Sequence, residues 1–233
     1  MPTLFPFLSR SVLRHFYPKL CLICDAVAPA PEEDLCTNCQ VRLAKTDLHL
    51  ERENIFVERF AGRIPLHAAA AMFTFRKGGG VQRLVHAFKY EGQRDLGYRL
   101  ARRYGWELSD QAHFRDVDAL IPVPLHPRKL RSRGYNQAKV LADGLSEGLK
   151  VPVVEAIVRQ KHTASQTKKG RMARMNALQE IFAVENADQF AGKHILLVDD
   201  VLTTGATLEA CAQHFLKVPN LRISMVALAI AEI

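Results

Sequence analysis

The sequence predicts an α/β protein: a parallel-rich sheet with flanking helices, preceded by a small cysteine-rich module. Three observations carry that expectation. Asp118–Val123 (DALIPV), 194–200 (HILLVDD) and 221–233 (LRISMVALAIAEI) are short apolar runs, as strands buried on both faces must be. Between them lie segments with apolar residues at helical spacing, the alternation that builds a layered α/β sheet. Finally, four of the five cysteines fall in one window near the start, in two CxxC pairs eleven residues apart.

Composition bounds the answer before any motif does. A chain of 233 residues allows one large or two modest domains, and 48% hydrophobic content is enough for a real core. No apolar run approaches the ~18 residues that a membrane span needs, so no membrane insertion is expected. The opening MPTLFPFLSRSVLRHFYP has an apolar face interrupted by Arg10 and Arg14. It lacks a basic stretch followed by an apolar block, so a packing helix ending near Pro18 is expected, not a cleaved signal, and a cytoplasmic location follows. The net charge of +8 leans toward phosphate-bearing partners, although basic chains are common.

Cys21-x-x-Cys24 and Cys36-x-x-Cys39 each make a tight knuckle presenting two thiolates, and two knuckles close a tetrahedral site for structural Zn²⁺. The intervening DAVAPAPEEDL is too polar and proline-rich to fold on a core of its own, and a metal would order it. A redox role asks for a single CxxC entering a helix beside a βαβ unit, which is absent here. Two disulfides would need an oxidising compartment. Cys211 stands alone in a helical apolar pattern and reads as core.

The expected organisation is an N-terminal helix and four-cysteine zinc knuckle over 1–45, a charged linker over 46–70, and the main domain over 71–233. AAAAMFTF reads as a strand and the triple glycine at 78–80 as a turn, since no GK[ST] follows it. Two helices come next, VQRLVHAFKYEG from Val81 to Gly92 and DLGYRLARRYGWEL. Lys89 at the end of the first faces a ligand or complements the helix dipole. After DALIPV the chain enters a cationic loop, Pro124 to Gln137, with Arg128, Arg131 and Arg133. Such a loop suits diphosphate oxygens. A helix, AKVLADGLSEGL, follows. The stretch 153–184, VVEAIVRQKHTASQTKKGRMARMNALQEIFAV, then carries Arg159, Lys161, Lys168, Lys169, Arg171 and Arg174, and reads as a mobile flap or binding loop.

The chemistry concentrates at His194–Thr207, HILLVDDVLTTGAT. Asp199 and Asp200 arrive together at the carboxyl end of a buried strand, where open α/β sheets place ligands. Thr203, Thr204, Gly205, Ala206 and Thr207 then enter a helix, with hydroxyls and free N–H groups suited to a phosphate. The carboxylates repel phosphate but suit sugar hydroxyls or a divalent cation. A phosphate at one end and a diol with metal at the other describe a phosphorylated ribose.

This stretch resembles the signature of the type I phosphoribosyltransferases. That resemblance implies 5-phosphoribosyl-1-pyrophosphate (PRPP) with Mg²⁺, the acid pair on the ribose hydroxyls and the TTGAT loop on the 5′-phosphate. Taken with YPKLCLIC, LCTNC, FKYEG, IPVPLHPRKLRSRGYNQAKVLA and QKHTASQTKKGRMARMNALQEIF, the chain resembles the ComF/ComFC competence-type proteins over nearly its whole length. In that family a zinc knuckle precedes a phosphoribosyltransferase domain. Many relatives carry a second cysteine pair after the first knuckle, and this sequence has none between Gln40 and Gly80, which leaves a single zinc site. The resemblance implies a role in natural transformation and use of external DNA, with ribose-5-phosphate transferred to an unidentified acceptor. The alternative is PRPP or nucleotide sensing without turnover by a factor that binds single-stranded DNA, through Lys168, Lys169, Arg171 and Arg174, together with other DNA-uptake proteins.

Overall fold

The computed structural model describes residues 19–27, 33–159 and 181–232. Its central sheet is built from β1 (Leu66–Phe75), β2 (Ala119–Pro122), β5 (His194–Leu202) and β6 (Arg222–Ala231), in the order β1–β6–β5–β2. All three pairings are parallel, in registers such as Ile121 beside Leu197 and Leu197 beside Met225. The parallel sheet expected from the apolar runs is therefore present.

Alternation along each strand sends side chains to two cores. Ala69, Ala71, Ile195, Leu197 and Met225 face one side, and Ala68, Ala70, Leu196, Val198 and Val226 the other. The second face is covered by α3 (Gly80–Tyr90), α4 (Arg94–Ser109) and α6 (Gln137–Leu149). Where α4 crosses α6, a Cβ on Gly148 would meet the Arg102 carbonyl oxygen and the Gly105 Cα at 2.7 Å, so the two backbones nearly touch.

The first face is covered by α7 (Ala206–Gln213) and by the segment around α2 (Ile55–Glu58). That segment lies inside the stretch read as a linker, yet Phe56, Phe60 and Ile64 are buried in the core. Asn54 starts it by accepting the N–H groups of Phe56 and Val57 and donating to the Leu48, Glu51 and Ala69 carbonyls. Residues 44–46 also run along the outer edge of β1, with Thr74 N–H donating to Ala44 at 2.7 Å.

The cationic stretch expected as a loop is instead mostly helical, as α5 (Pro127–Arg133). Pro127 pre-sets the first turn, the His126 side chain accepts the Arg128 N–H, and Gly134 ends the helix at φ +80°. Beyond β2, a two-stranded antiparallel unit pairs β3 (Ile157–Arg159) with β4 (Phe182–Val184). The chain between them, including Lys168, Lys169, Arg171 and Arg174, lies outside the described residues, as does the expected N-terminal helix.

The cysteine-rich module, with α1 (Thr37–Arg42), packs on α3 and α4 through Cys21, Leu35 and Cys39 against Leu84 and Leu96. Asp34, itself buried, accepts from Lys19 at 2.7 Å and from Arg99. Among the described residues no helix is long and apolar enough to cross a membrane.

Candidate functional site

At the carboxyl end of the sheet a cleft of about 280 Å³ opens between β5, α5, α6 and the end of α3. Strand β5 runs through Asp199 and Asp200 to Leu202, so both acids are held by the ladder beside β6. Both are partly buried. The Asp199 carboxylate accepts the Asp200 N–H at 2.8 Å. Burial, followed by the neighbouring Asp200 charge, pushes its pKa up to about 7, against the opposing pull of that N–H and of Lys89. Asp200 is paired with Lys89 Nζ at 2.9 Å, and Arg133 stands 4.0 Å from the same oxygen.

Each residue of the RSRGYNQ motif from Arg133 onward has a place in this geometry. Arg133 donates to Gln137 Oε1 at 2.9 Å and to the Tyr90 hydroxyl at 3.3 Å, and lies over the Tyr90 ring. Gly134 makes the left-handed turn, and Tyr135 donates to the Phe88 carbonyl. Asn136 caps α6 and donates to the Val123 carbonyl at 3.0 Å, tying the helix to the exit of β2. Gln137 is buried and lines the cleft, and its Nε2 has no hydrogen-bond partner among the described residues.

The Thr203–Thr207 turn leads from β5 into α7. Gly205 is the N-cap at φ +82°, and a Cβ there would sit 2.8 Å from the Phe60 ring, so both conformation and space call for glycine. Thr203 and Thr204 are exposed, Thr204 Oγ1 accepts the Ala206 N–H at 3.4 Å, and Thr207 lines the cleft. Lys89, Lys129, Arg133, Asp199, Asp200 and Thr207 therefore share one cavity. Arg128 and Arg131 lie on exposed α5 surface and do not line it.

Sequence reasoning missed Arg59. Its guanidinium donates to the Thr203 carbonyl at 2.9 Å and to the Ala231 carbonyl at 2.5 Å, bracing the threonine turn from the supposed linker. Arg63 reinforces it by pairing with buried Glu209 on α7. The signal was Phe56, Phe60 and Ile64 at helical spacing, hidden in a charged background. Arg159, at the end of β3, also lines the cleft, its guanidinium 5.2 Å from the Phe182 ring centroid.

The four cysteines converge, their sulfurs all within 4.8 Å of one another and Cys24 3.6 Å from Cys36. Four thiolates about 2.3 Å from a tetrahedral Zn²⁺ stand about 3.8 Å apart, so the set fits a zinc ion. Burial alone would raise the Cys21 thiol. Backbone N–H groups of Cys36, Ile23 and Cys24 outweigh that and bring it down to about 6.

Residues 131–230 match the phosphoribosyl transferase domain family. The mostly parallel sheet with flanking helices is consistent with a phosphoribosyltransferase-like α/β fold. The chain is 35% identical over 130 residues to Competence protein F of Haemophilus influenzae, covering 54% of this chain and 57% of that protein. It is 32% identical over 141 residues to DNA utilization protein YhgH of Escherichia coli, covering 58% and 60% respectively. Both matches therefore span less than two thirds of those relatives' lengths. With Competence protein ComFC of Bacillus subtilis the identity is 29% over 210 residues, or 89% of this chain and 76% of that one. The chain is thus similar to proteins named for competence and DNA utilization, and its residues 131–230 match a phosphoribosyl transferase domain.

Proposed function

We propose that the cleft binds Mg²⁺-PRPP and that the protein transfers ribose-5-phosphate from it to an acceptor still to be identified. One observation carries the reading: two adjacent carboxylates at the carboxyl end of β5 share a cavity with Lys89, Arg133 and Thr207, the last residue of the threonine turn. In this reading Asp199 and Asp200 accept the ribose 2′- and 3′-hydroxyls. Thr203, Thr204, Gly205, Ala206 and Thr207 enclose the 5′-phosphate with hydroxyl and N–H donors. Lys89 and Arg133 face the pyrophosphate, with Arg128 and Arg131 contributing at the rim. Gln137 Nε2, without a partner among the described residues, is a ready donor to a phosphate or ribose oxygen. Mg²⁺, held with PRPP near the acid pair, supplies positive charge to the phosphates. As the bond to pyrophosphate lengthens, C1 becomes oxocarbenium-like and the cations stabilise the charge gathering on the leaving group.

Calorimetric titration of PRPP with and without Mg²⁺ tests the binding. A pyrophosphate-release screen over nitrogen bases tests the transfer. Saturable binding that needs Mg²⁺ is expected, and absence of binding under both conditions would defeat the reading.

A second reading has its own support. Between Pro124 and Met175 stand twelve Lys or Arg residues and three acids, more cations than one PRPP needs, and relatives carry names tied to competence and DNA utilization. The excess, including Lys168, Lys169, Arg171 and Arg174, would follow a single-stranded phosphate backbone, binding DNA with or without turnover of PRPP. Affinity for an oligonucleotide should then fall steeply with salt, and alanine at Lys168, Lys169 and Arg171 should flatten that slope. A mobility shift unchanged by the triple substitution would exclude it.

A further inference from the structure

A second cluster of metal-ligating side chains sits at the opposite pole of the sheet. His67 lies at the start of β1, Asp116 just before β2, and His194 is the first residue of β5. One ligand atom from each lies within 4.8 Å of the others. His194 is fully buried, His67 partly so, and Asp116 is exposed to solvent, so an ion has a path in. No step of the proposed chemistry uses any of them.

We propose that His67, Asp116 and His194 form a site for a divalent transition-metal ion, separate from the four cysteines and remote from the cleft. The distances suit a shared ion. His194 Nδ1 and Asp116 Oδ1 are hydrogen-bonded at 2.9 Å; an ion replacing that proton would set them about 3.0 Å apart in octahedral or about 3.4 Å in tetrahedral geometry, at bonds of about 2.1 Å. The His67 and His194 ring centroids are 4.8 Å apart and the rings are nearly perpendicular. An ion about 2.1 Å from a nitrogen of each ring holds the centroids roughly 4.5–5.3 Å apart.

The surrounding groups complete the site. His194 Nε2 is 2.8 Å from Ser224 Oγ, the outer hydrogen bond that orients a ligating imidazole and turns Nδ1 toward Asp116. Arg222 takes Asp116 Oδ2 at 2.5 Å, leaving Oδ1 toward the imidazoles. Two imidazoles and one carboxylate select zinc, cobalt or nickel over magnesium or calcium. A bound ion would tie together the amino ends of β1 and β5 and the approach to β2.

Cobalt titration followed by absorption separates this site from the cysteines. The first equivalent should show intense thiolate-to-cobalt charge transfer. A second should add only weak d–d bands, because its ligands are nitrogen and oxygen. His67→Gln and Asp116→Asn should each abolish the second equivalent or weaken it at least tenfold, with the thiolate bands unchanged. Saturation of the unaltered protein at one equivalent would overturn the proposal without recourse to any variant. So would a second equivalent that survives both substitutions.

Discussion

At the residue scale the acid pair is the least comfortable feature of the fold. Two carboxylates stand side by side in a partly buried cleft, and the pKa of Asp199 rises to about 7. The unfolded chain ionises the same group near the ordinary carboxylate value, so between about pH 4 and pH 7 the folded state holds the proton more tightly. Stability from this group is present at low pH and is lost as pH climbs through about 7. Asp199→Asn should therefore raise the melting temperature more at pH 8 than at pH 5, read as the difference between variant and parent at each pH. Residues that cost stability in this way are expected where binding demands them. The double substitution Asp199→Asn with Asp200→Asn should correspondingly abolish Mg²⁺-dependent PRPP binding in calorimetry while the fold survives. If the acids served only as structural groups, affinity would hardly change. Thr204→Val removes one hydroxyl from the proposed phosphate cradle and should weaken binding by roughly 1–3 kcal/mol.

At the element scale the threonine turn is positioned by a segment far from it in sequence. Phe60 packs against Gly205, and Arg59 and Arg63 clamp the Thr203 carbonyl and Glu209. Gly205→Ala meets both the +82° φ and the Phe60 ring, and should cost about 1–3 kcal/mol of stability in denaturant unfolding, since the glycine has no room to relax. These contacts explain what could be read from the chain and what could not. Strands β2, β5 and β6 were legible because burial on both faces forces uninterrupted apolar runs. The acid pair and threonine turn were legible because their residue types sit in adjacent positions. Segment 54–64 was not, since only Phe56, Phe60 and Ile64 in it are fully buried, with Val57 packed beside them, and charged neighbours mask them. Helix α5 was missed for a similar reason. Its Pro127 and Gly134 are ordinary helix-boundary signals, but the cations between them invited a loop reading. The pairing of Lys89 and Arg133 with Asp200 depends on tertiary placement that no local pattern encodes.

At the scale of the whole molecule, the cysteine module is a small body resting on a large one. Among the described residues its apolar contact with the main domain sets Cys21, Leu35 and Cys39 against Leu84 and Leu96, with Leu22, Ile23, Leu43 and Leu100 around them. Two of its three buried core residues are themselves cysteines, so the module cannot keep its packing if the sulfurs separate. The Asp34 pair with Arg99 ties it to α4 and the pair with Lys19 is internal to the module; both are partly open to solvent on the cationic side, where ion pairs contribute little. A zinc ion, which the four sulfurs are placed to hold, would supply the missing order. Cys36→Ser should remove the thiolate-bound metal equivalent, measured by metal analysis, and expose the module to limited proteolysis. The parallel sheet has two extensive cores of its own and should remain folded by circular dichroism. PRPP binding should persist in that variant, because the cleft lies at the carboxyl end of β5 and none of the described module residues lines it. Loss of PRPP binding on metal removal would instead mean that the module, through α3 and its Lys89, holds the cleft in shape.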